Sequence, residues 1–339
     1  MKNKALALLL SMLLVALTAC GSQPPQDSVP PAQESSSVPS GAGEASYTVG
    51  IIQLIRHPAL DAATQGFKDA LTEKLGDKVS FDEQNASGDP QTCAIIANQL
   101  VSSNVSLIMA NATAALQAAQ TATTTIPVLG TSVTDYGTAL GMDNWTGTTG
   151  TNVSGTSDLA PLDQQAGIIK ELYPDEKNIG ILYCSGEPNS KYQSDVISGY
   201  LTDLGYSCKV YTFSDSNDLQ TVVTTAAAES DVLYVPTDNT VASNTEIIKN
   251  VCVPAGVPVV AGEEGICAGC GVATLSISYY DLGYTTGQMA YDILVGGADP
   301  AAMEVRFAPK FTKLYNAEIA GALGVSIPDG YTAIVPAEE

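Results

Sequence analysis

The residues able to do chemistry in this chain collect in six short polar turns, each following a run of apolar residues. They are Arg56-His57-Pro58, Asn111-Ala112-Thr113-Ala114, Thr131-Ser132-Val133-Thr134-Asp135, Ser185-Gly186-Glu187-Pro188-Asn189-Ser190, Pro236-Thr237-Asp238-Asn239-Thr240 and Gly262-Glu263-Glu264. Hydroxyls, amides and carboxylates in such turns suit the binding of a small polar molecule better than catalysis. His57 is the only histidine, so no Ser/His/Asp set can be placed, and neither a metal-ligand set nor a Gly-rich phosphate loop with its lysine is found. Glu263 and Glu264 are paired carboxylates, but neighbours on one turn point apart and make a poor acid/base dyad. Cys267-Ala-Gly-Cys270 has redox or half-metal spacing, yet a structural zinc needs four ligands. That pair is expected to be a local disulfide or two free thiols, and a bridge between Cys184 and Cys208 is open. Neither a cofactor nor a metal is expected.

The elements that hold these turns repeat one plan. Short apolar strands are predicted at 48–54, 79–83, 106–110 and 127–129, with helices at 60–75, 90–102 and 112–121 between them. Such alternation implies parallel βαβ units. Residues 141–157, rich in Gly, Thr and Ser, show no period and are predicted as a crossover. A second series follows: helix 161–172, then strands 178–183, 207–212, 232–235 and 258–261, separated by helices 190–204, 217–228 and 243–253. The fold class is therefore α/β, two doubly wound parallel-sheet lobes joined by a multi-strand hinge. In that arrangement the carboxyl ends of the strands, and with them the polar turns, face each other across a cleft. The last stretch, with helix 282–294, strand 304–307 and helix 316–323, reads as chain returning across the hinge. The expected lobes are 47–157 plus 277–302 and 158–276 plus 303–339.

The amino terminus sets the location. Lys2 and Lys4, the apolar run from Ala5 to Val15 and the small residues before Cys20 have the layout of a secretory signal peptide, too short to span a bilayer comfortably. Leu17-Thr18-Ala19-Cys20-Gly21 resembles the lipobox of bacterial lipoproteins, which implies cleavage before Cys20 and a lipid on its thiol. An ordinary signal peptide cut after Ala19 would leave Cys20 a bystander. Residues 22–46, crowded with Pro, Ser, Gly and Gln, cannot bury a core and would span roughly 27 Å as a coil. Without residues 1–19, 12 basic residues face 36 acidic ones, a formal charge of −24. A body this acidic repels nucleic acid and anionic lipid. The expected setting is the extracytoplasmic face of the cell membrane, with the lipid as the only membrane contact and a monomeric body.

From Tyr47 to Pro336 the chain resembles the substrate-binding lipoproteins of ABC transporters of the tryptophan/tyrosine-type group, which have a type I periplasmic-binding-protein fold. The resemblance rests on HPALDAATQGFKDAL from His57, SGD at Ser87, SGTSD at Ser154, GEPNS at Gly186, VPTDNTVAS at Val235, DLGYTTGQMA at Asp281 and NAEIAGALGVSIP from Asn316. Family members often have Asp-Pro where this chain has Asp135-Tyr136, and Thr-Gly where it has Ser154-Gly155. The resemblance implies a receptor that binds a small solute, foremost an aromatic amino acid, and presents it to a permease and its ATPase. A branched-chain amino acid or another small polar molecule is the alternative solute, and a sensor for a signalling receptor the alternative role.

An α-amino acid zwitterion needs donors for its carboxylate and an acceptor for its ammonium. Thr113 at a helix start, Ser132 and Thr134 are the candidate carboxylate donors, joined from the facing lobe by Asn189 and Ser190, and Ala114 beside Thr113 is a further candidate contact. Asp238, flanked by Thr237 and Asn239, is the first candidate for the ammonium and Glu263 the second. Each has a structural rival, since such residues commonly cap helices or make Asx-turns. His57 either lines the cleft or packs its turn, Arg56 can pair on the surface, and Tyr136 and Trp145 either stack on a ligand or pack.

Overall fold

A computed structural model describes residues 46–335. Cys20 and residues 1–45, with the expected signal peptide, lie outside the described residues. Among the described residues thirteen strands form two sheets. They are β1 (Tyr47–Gln53), β2 (Val79–Asn85), β3 (Leu107–Asn111), β4 (Val128–Val133), β5 (Val153–Ser157), β6 (Asn178–Cys184), β7 (Ser207–Phe213), β8 (Val232–Val235), β9 (Val259–Ala261), β10 (Ala273–Ser276), β11 (Arg306–Phe307), β12 (Thr312–Tyr315) and β13 (Thr332–Ala333). The first sheet runs β11-β5-β4-β3-β1-β2 and the second β13-β12-β10-β9-β8-β6-β7. Every described pairing is parallel except β10 with β12.

Each sheet is covered on both faces, so its central strands are apolar at successive positions rather than alternate ones. In the first sheet Ile51, Leu107 and Met109 pack towards helices Pro58–Leu75 and Tyr279–Leu294, while Ile52, Ile108 and Ala110 pack towards helices Pro90–Ser102 and Thr113–Ala122. The second sheet repeats this, with Ile181, Tyr183, Val232 and Tyr234 on one side and Leu182, Cys184, Leu233 and Val235 on the other. Two separately cored lobes result, and the chain passes between them three times, at residues 158–161, 277–278 and 308–311.

The structure corrects the sequence reading at two places and decides between its alternatives for the cysteines. Residues 153–157 are not crossover but β5, a fully buried strand in the middle of the first sheet's outer half. Its hydroxyls mimic a loop in sequence yet are satisfied inside: Thr156 Oγ1 meets Thr131 Oγ1 at 3.2 Å and Thr286 Oγ1 at 2.8 Å, and Ser157 Oγ donates to the Thr134 carbonyl at 2.8 Å. The second lobe does not begin its final segment at 303. Arg306 and Phe307 pair with Thr156 and Ser157, so the first lobe's sheet extends to 307. The six described cysteines are free thiols. Cys184 stands opposite Phe213 and Cys208 opposite Ile179, at opposite ends of the β6–β7 ladder, which puts a bridge out of reach.

Candidate functional site

On the first lobe, two successive strand ends carry unusual backbone. β3 ends at Asn111, and Ala112 then takes φ 87° and ψ 161°, a conformation natural to glycine. Helix Thr113–Ala122 starts there without a side-chain cap. Its first-turn amides therefore point out with the positive end of the helix dipole behind them. At the end of β4, Ser132 has φ 53°, and its buried Oγ has no partner. Positive φ at a non-glycine residue costs about 1–3 kcal/mol and persists where the surroundings hold it. Here Asn111 Nδ2 donates to the Leu60 carbonyl at 2.8 Å and to Thr64 Oγ1 at 2.9 Å, Thr64 Oγ1 donates to Gln53 Oε1 at 2.6 Å, and the Ala112 amide donates to the Thr131 carbonyl at 3.0 Å. Thr113, Ser132 and Thr134 are all buried at this edge, and Ala114 is half-buried.

On the facing lobe, Glu187 organises the turns. Pro188 opens helix Pro188–Asp203 and has no N–H to cap. The Glu187 carboxylate instead reaches the next turn, where it accepts from the Asn239 amide (2.9 Å), Asn239 Nδ2 (2.7 Å), the Thr240 amide (2.8 Å) and Thr240 Oγ1 (2.8 Å). Because Asn239 Nδ2 is turned to Glu187, Asn239 Oδ1 faces His57 Nε2 at 3.2 Å, a contact between the lobes. His57 Nε2 must then be the donor, which leaves Nδ1 a buried acceptor without a partner. Burial lowers the His57 pKa, only partly offset by the Asn239 bond, so the ring is neutral.

The two acids expected to meet an ammonium are both engaged by backbone. Asp238 accepts from the Cys184 amide at 2.8 Å and from the Val241 amide at 2.9 Å. Burial and the neighbouring Glu187 push its pKa up to about 8. Glu263 caps helix Glu264–Cys270 through the Gly265 and Ile266 amides, and burial raises it to about 7. Asn189 Nδ2 and Ser190 Oγ both donate to the Thr237 carbonyl, at 3.0 and 3.1 Å, tying those two turns together within their own lobe.

Asp158, the last residue of the SGTSD motif, is not among the candidate contacts read from the sequence. It follows β5, is 4% exposed, accepts a hydrogen bond from Tyr279 Oη at 3.0 Å through Oδ2, and has no partner at Oδ1. Its only signal is the position after SGTS, hidden because that strand reads as loop. Tyr136 and Trp145 pack on each other with ring centroids 6.0 Å apart, and Tyr136 Oη donates to the Thr156 carbonyl. Arg56 lies outside, 70% exposed, 3.9 Å from both Asp61 and Glu83. Beside these turns a cavity of about 260 Å³ opens between the lobes, lined by Leu54, Ile55, Pro90 and Ala114 from one and Cys184 and Glu187 from the other.

Two parallel-sheet lobes, three crossings and a cleft between strand ends define a two-lobed solute-binding protein of the type I periplasmic-binding fold. Residues 48–335 match the ABC transporter substrate binding protein family, and the chain belongs to it. It is 38% identical over 251 residues to a tyrosine-binding protein of Clostridioides difficile (strain R20291), covering 73% of this chain and 72% of that one. Its structure overlays an ABC domain from Streptococcus pneumonia in complex with L-Trp with a TM-score of 0.81 at 32% identity, over 86% of this chain and 100% of the other. A substrate-binding protein with adhesive properties from Clostridium difficile, in its ligand-free, open form, is 36% identical over 85% of this chain and 99% of its own, yet its TM-score is 0.66. Higher identity with a poorer overlay shows that the lobes are set differently from that open form, and the His57–Asn239 contact joins them across the cleft. The protein is thus the solute-binding component of an ABC transporter, of a family that works outside the cytoplasm.

Proposed function

We propose that the protein captures an aromatic L-amino acid between its lobes and, tethered by a lipid on Cys20, hands it to a permease driven by its ATPase. One observation carries the reading of the cleft. With the lobes closed, His57 Nδ1, Ser132 Oγ and Asp158 Oδ1 are buried and find no partner in the protein. Each such group costs about 1–3 kcal/mol, so closure is favoured only by a solute that pairs them. Two are acceptors and one is a hydroxyl, and the uncapped helix start at Thr113 adds amide donors. That combination matches a zwitterion, with its carboxylate on Thr113, Ala114, Ser132 and Thr134 and its side chain directed to the Leu54, Ile55 and Pro90 cavity. Neutral donors must serve the carboxylate, because Arg56 is turned to solvent. The names of the relatives, tyrosine-binding and in complex with L-Trp, support an aromatic side chain.

A thermal-shift screen of the full chain against the twenty amino acids, nucleosides and sugars tests this. A ligand at 100 times its Kd adds about 2.7 kcal/mol to native stability. L-Tyrosine or L-tryptophan should raise the midpoint by several degrees, and a rise with sugars or nucleosides alone would refute the reading. For the tether, Cys20→Ser in a lipoprotein-processing host should move the protein from membranes to the soluble fraction. Retention on membranes would rule out the anchor.

A further inference from the structure

We propose that Asp158 receives the ammonium of the bound amino acid, with Tyr279 holding the carboxylate in position across the hinge. This rests on the amino-acid reading above and names the residue that makes the site select an α-amino group.

Four observations place Asp158 there. It stands at the carboxyl end of β5, the strand hydrogen-bonded to β4. Adjacent strands lie about 4.8 Å apart, so Asp158 sits beside Ser132 and Thr134, and the groups for the two poles of one α-carbon are neighbours. Its Oδ1 is an acceptor without a partner in a residue that is 4% exposed. The titratable groups that face it are Tyr136 from the helix after β4, Tyr279 from the helix after the second crossing and Glu263 from the other lobe, with the Thr134 hydroxyl beside them. All three are acids, none is a cation, and burial raises the Asp158 pKa. A buried carboxylate among acids is tolerated when a cation pairs with it, and a bound ammonium supplies that charge. Finally, Asp238 and Glu263 each spend both oxygens on backbone amides, whereas Asp158 meets only side-chain hydroxyls, those of Tyr279 at Oδ2 and of Thr134, and its Oδ1 has no partner.

The Tyr279 bond adds a mechanical role. Asp158 begins the first crossing and Tyr279 follows the second, so their 3.0 Å hydrogen bond joins two of the three hinge passages. An ammonium on Oδ1 keeps the buried carboxylate ionised, and so an acceptor for Tyr279 across the hinge. Charge recognition and closure are then one event.

The test is calorimetry on the full chain in detergent, with L-tyrosine and its analogue lacking the amino group, 3-(4-hydroxyphenyl)propionate, and circular dichroism to monitor folding. Wild type should bind L-tyrosine more tightly than the analogue. Asp158→Asn, nearly isosteric, should weaken L-tyrosine binding by roughly 10- to 100-fold and leave the analogue's affinity unchanged or improved. Tyr279→Phe should show a smaller loss, again confined to L-tyrosine. Unchanged L-tyrosine affinity in Asp158→Asn, or equal loss of both ligands in the two variants, overturns the assignment. If wild type binds no amino acid, the receptor reading itself fails, an outcome distinct from either variant result.

Discussion

Replacing Glu187 with alanine is expected to destabilise the second lobe by about 3 kcal/mol and to weaken amino-acid binding on the order of 100-fold, the two effects having one cause. The carboxylate accepts four hydrogen bonds of 2.7–2.9 Å from Asn239 and Thr240. Its removal strands the first-turn amides of helix Asn239–Ala242 and frees the Asn239 side chain to rotate. With Asn239 loose, the contact with His57 that joins the lobes is lost, and with it a bond across the cleft. One effect runs the other way. Asp238, raised by burial and then by Glu187, would ionise more readily without that neighbour, which relieves part of the strain on its turn. Thermal unfolding and calorimetry of Glu187→Ala read the two effects separately. A wild-type midpoint with wild-type affinity would show that Glu187 organises nothing.

Gly283→Ala should cost more than 3 kcal/mol, at the upper end of what overpacking does, although only one methyl is added. Helices Pro58–Leu75 and Tyr279–Leu294 lie so close that a Cβ on Gly283 would fall 1.9 Å from the Ala63 carbonyl oxygen, and one on Gly66 would fall 2.1 Å from that of Tyr280. Both obstacles are backbone, so no side chain can swing aside. The second of these helices returns to the first lobe after the parallel strands β6 to β10 of the second, and this close packing is what docks it. Gly167→Ala is the matched control. It lies inside helix Leu162–Leu172 with nothing within 4 Å of the added carbon, so there the same substitution should stabilise by about 0.5–1 kcal/mol. Midpoints that move together would contradict the packing account.

The two-lobed plan was legible because β1, β3, β6 and β8 are apolar runs with polar turns directly behind them, and buried parallel strands carry that signature. β5 was not legible for the opposite reason: Ser154, Thr156 and Ser157 satisfy their hydroxyls against Met303, Thr286 and Thr134, partners 149, 130 and 23 positions away. Losing β5 also concealed Asp158, since a residue's place at a strand end cannot be seen when the strand is not. For Asp238 and Glu263 the type of residue was visible but its commitment was not. Whether an acid in such a turn faces a ligand or a backbone amide depends on the loop beside it, as the Cys184 amide shows for Asp238. The His57–Asn239 contact spans 182 positions between lobes and leaves no local trace.

The claim on which everything else depends is that the lobes close on an amino-acid zwitterion. Its most direct test is a calorimetric titration of the full chain with L-tyrosine and L-tryptophan at several temperatures. The expected result is saturable one-to-one binding of at least one of them, with a negative heat-capacity change as the ring and the lobe faces leave water. Heats no larger than dilution for both, and for the remaining amino acids, would contradict it.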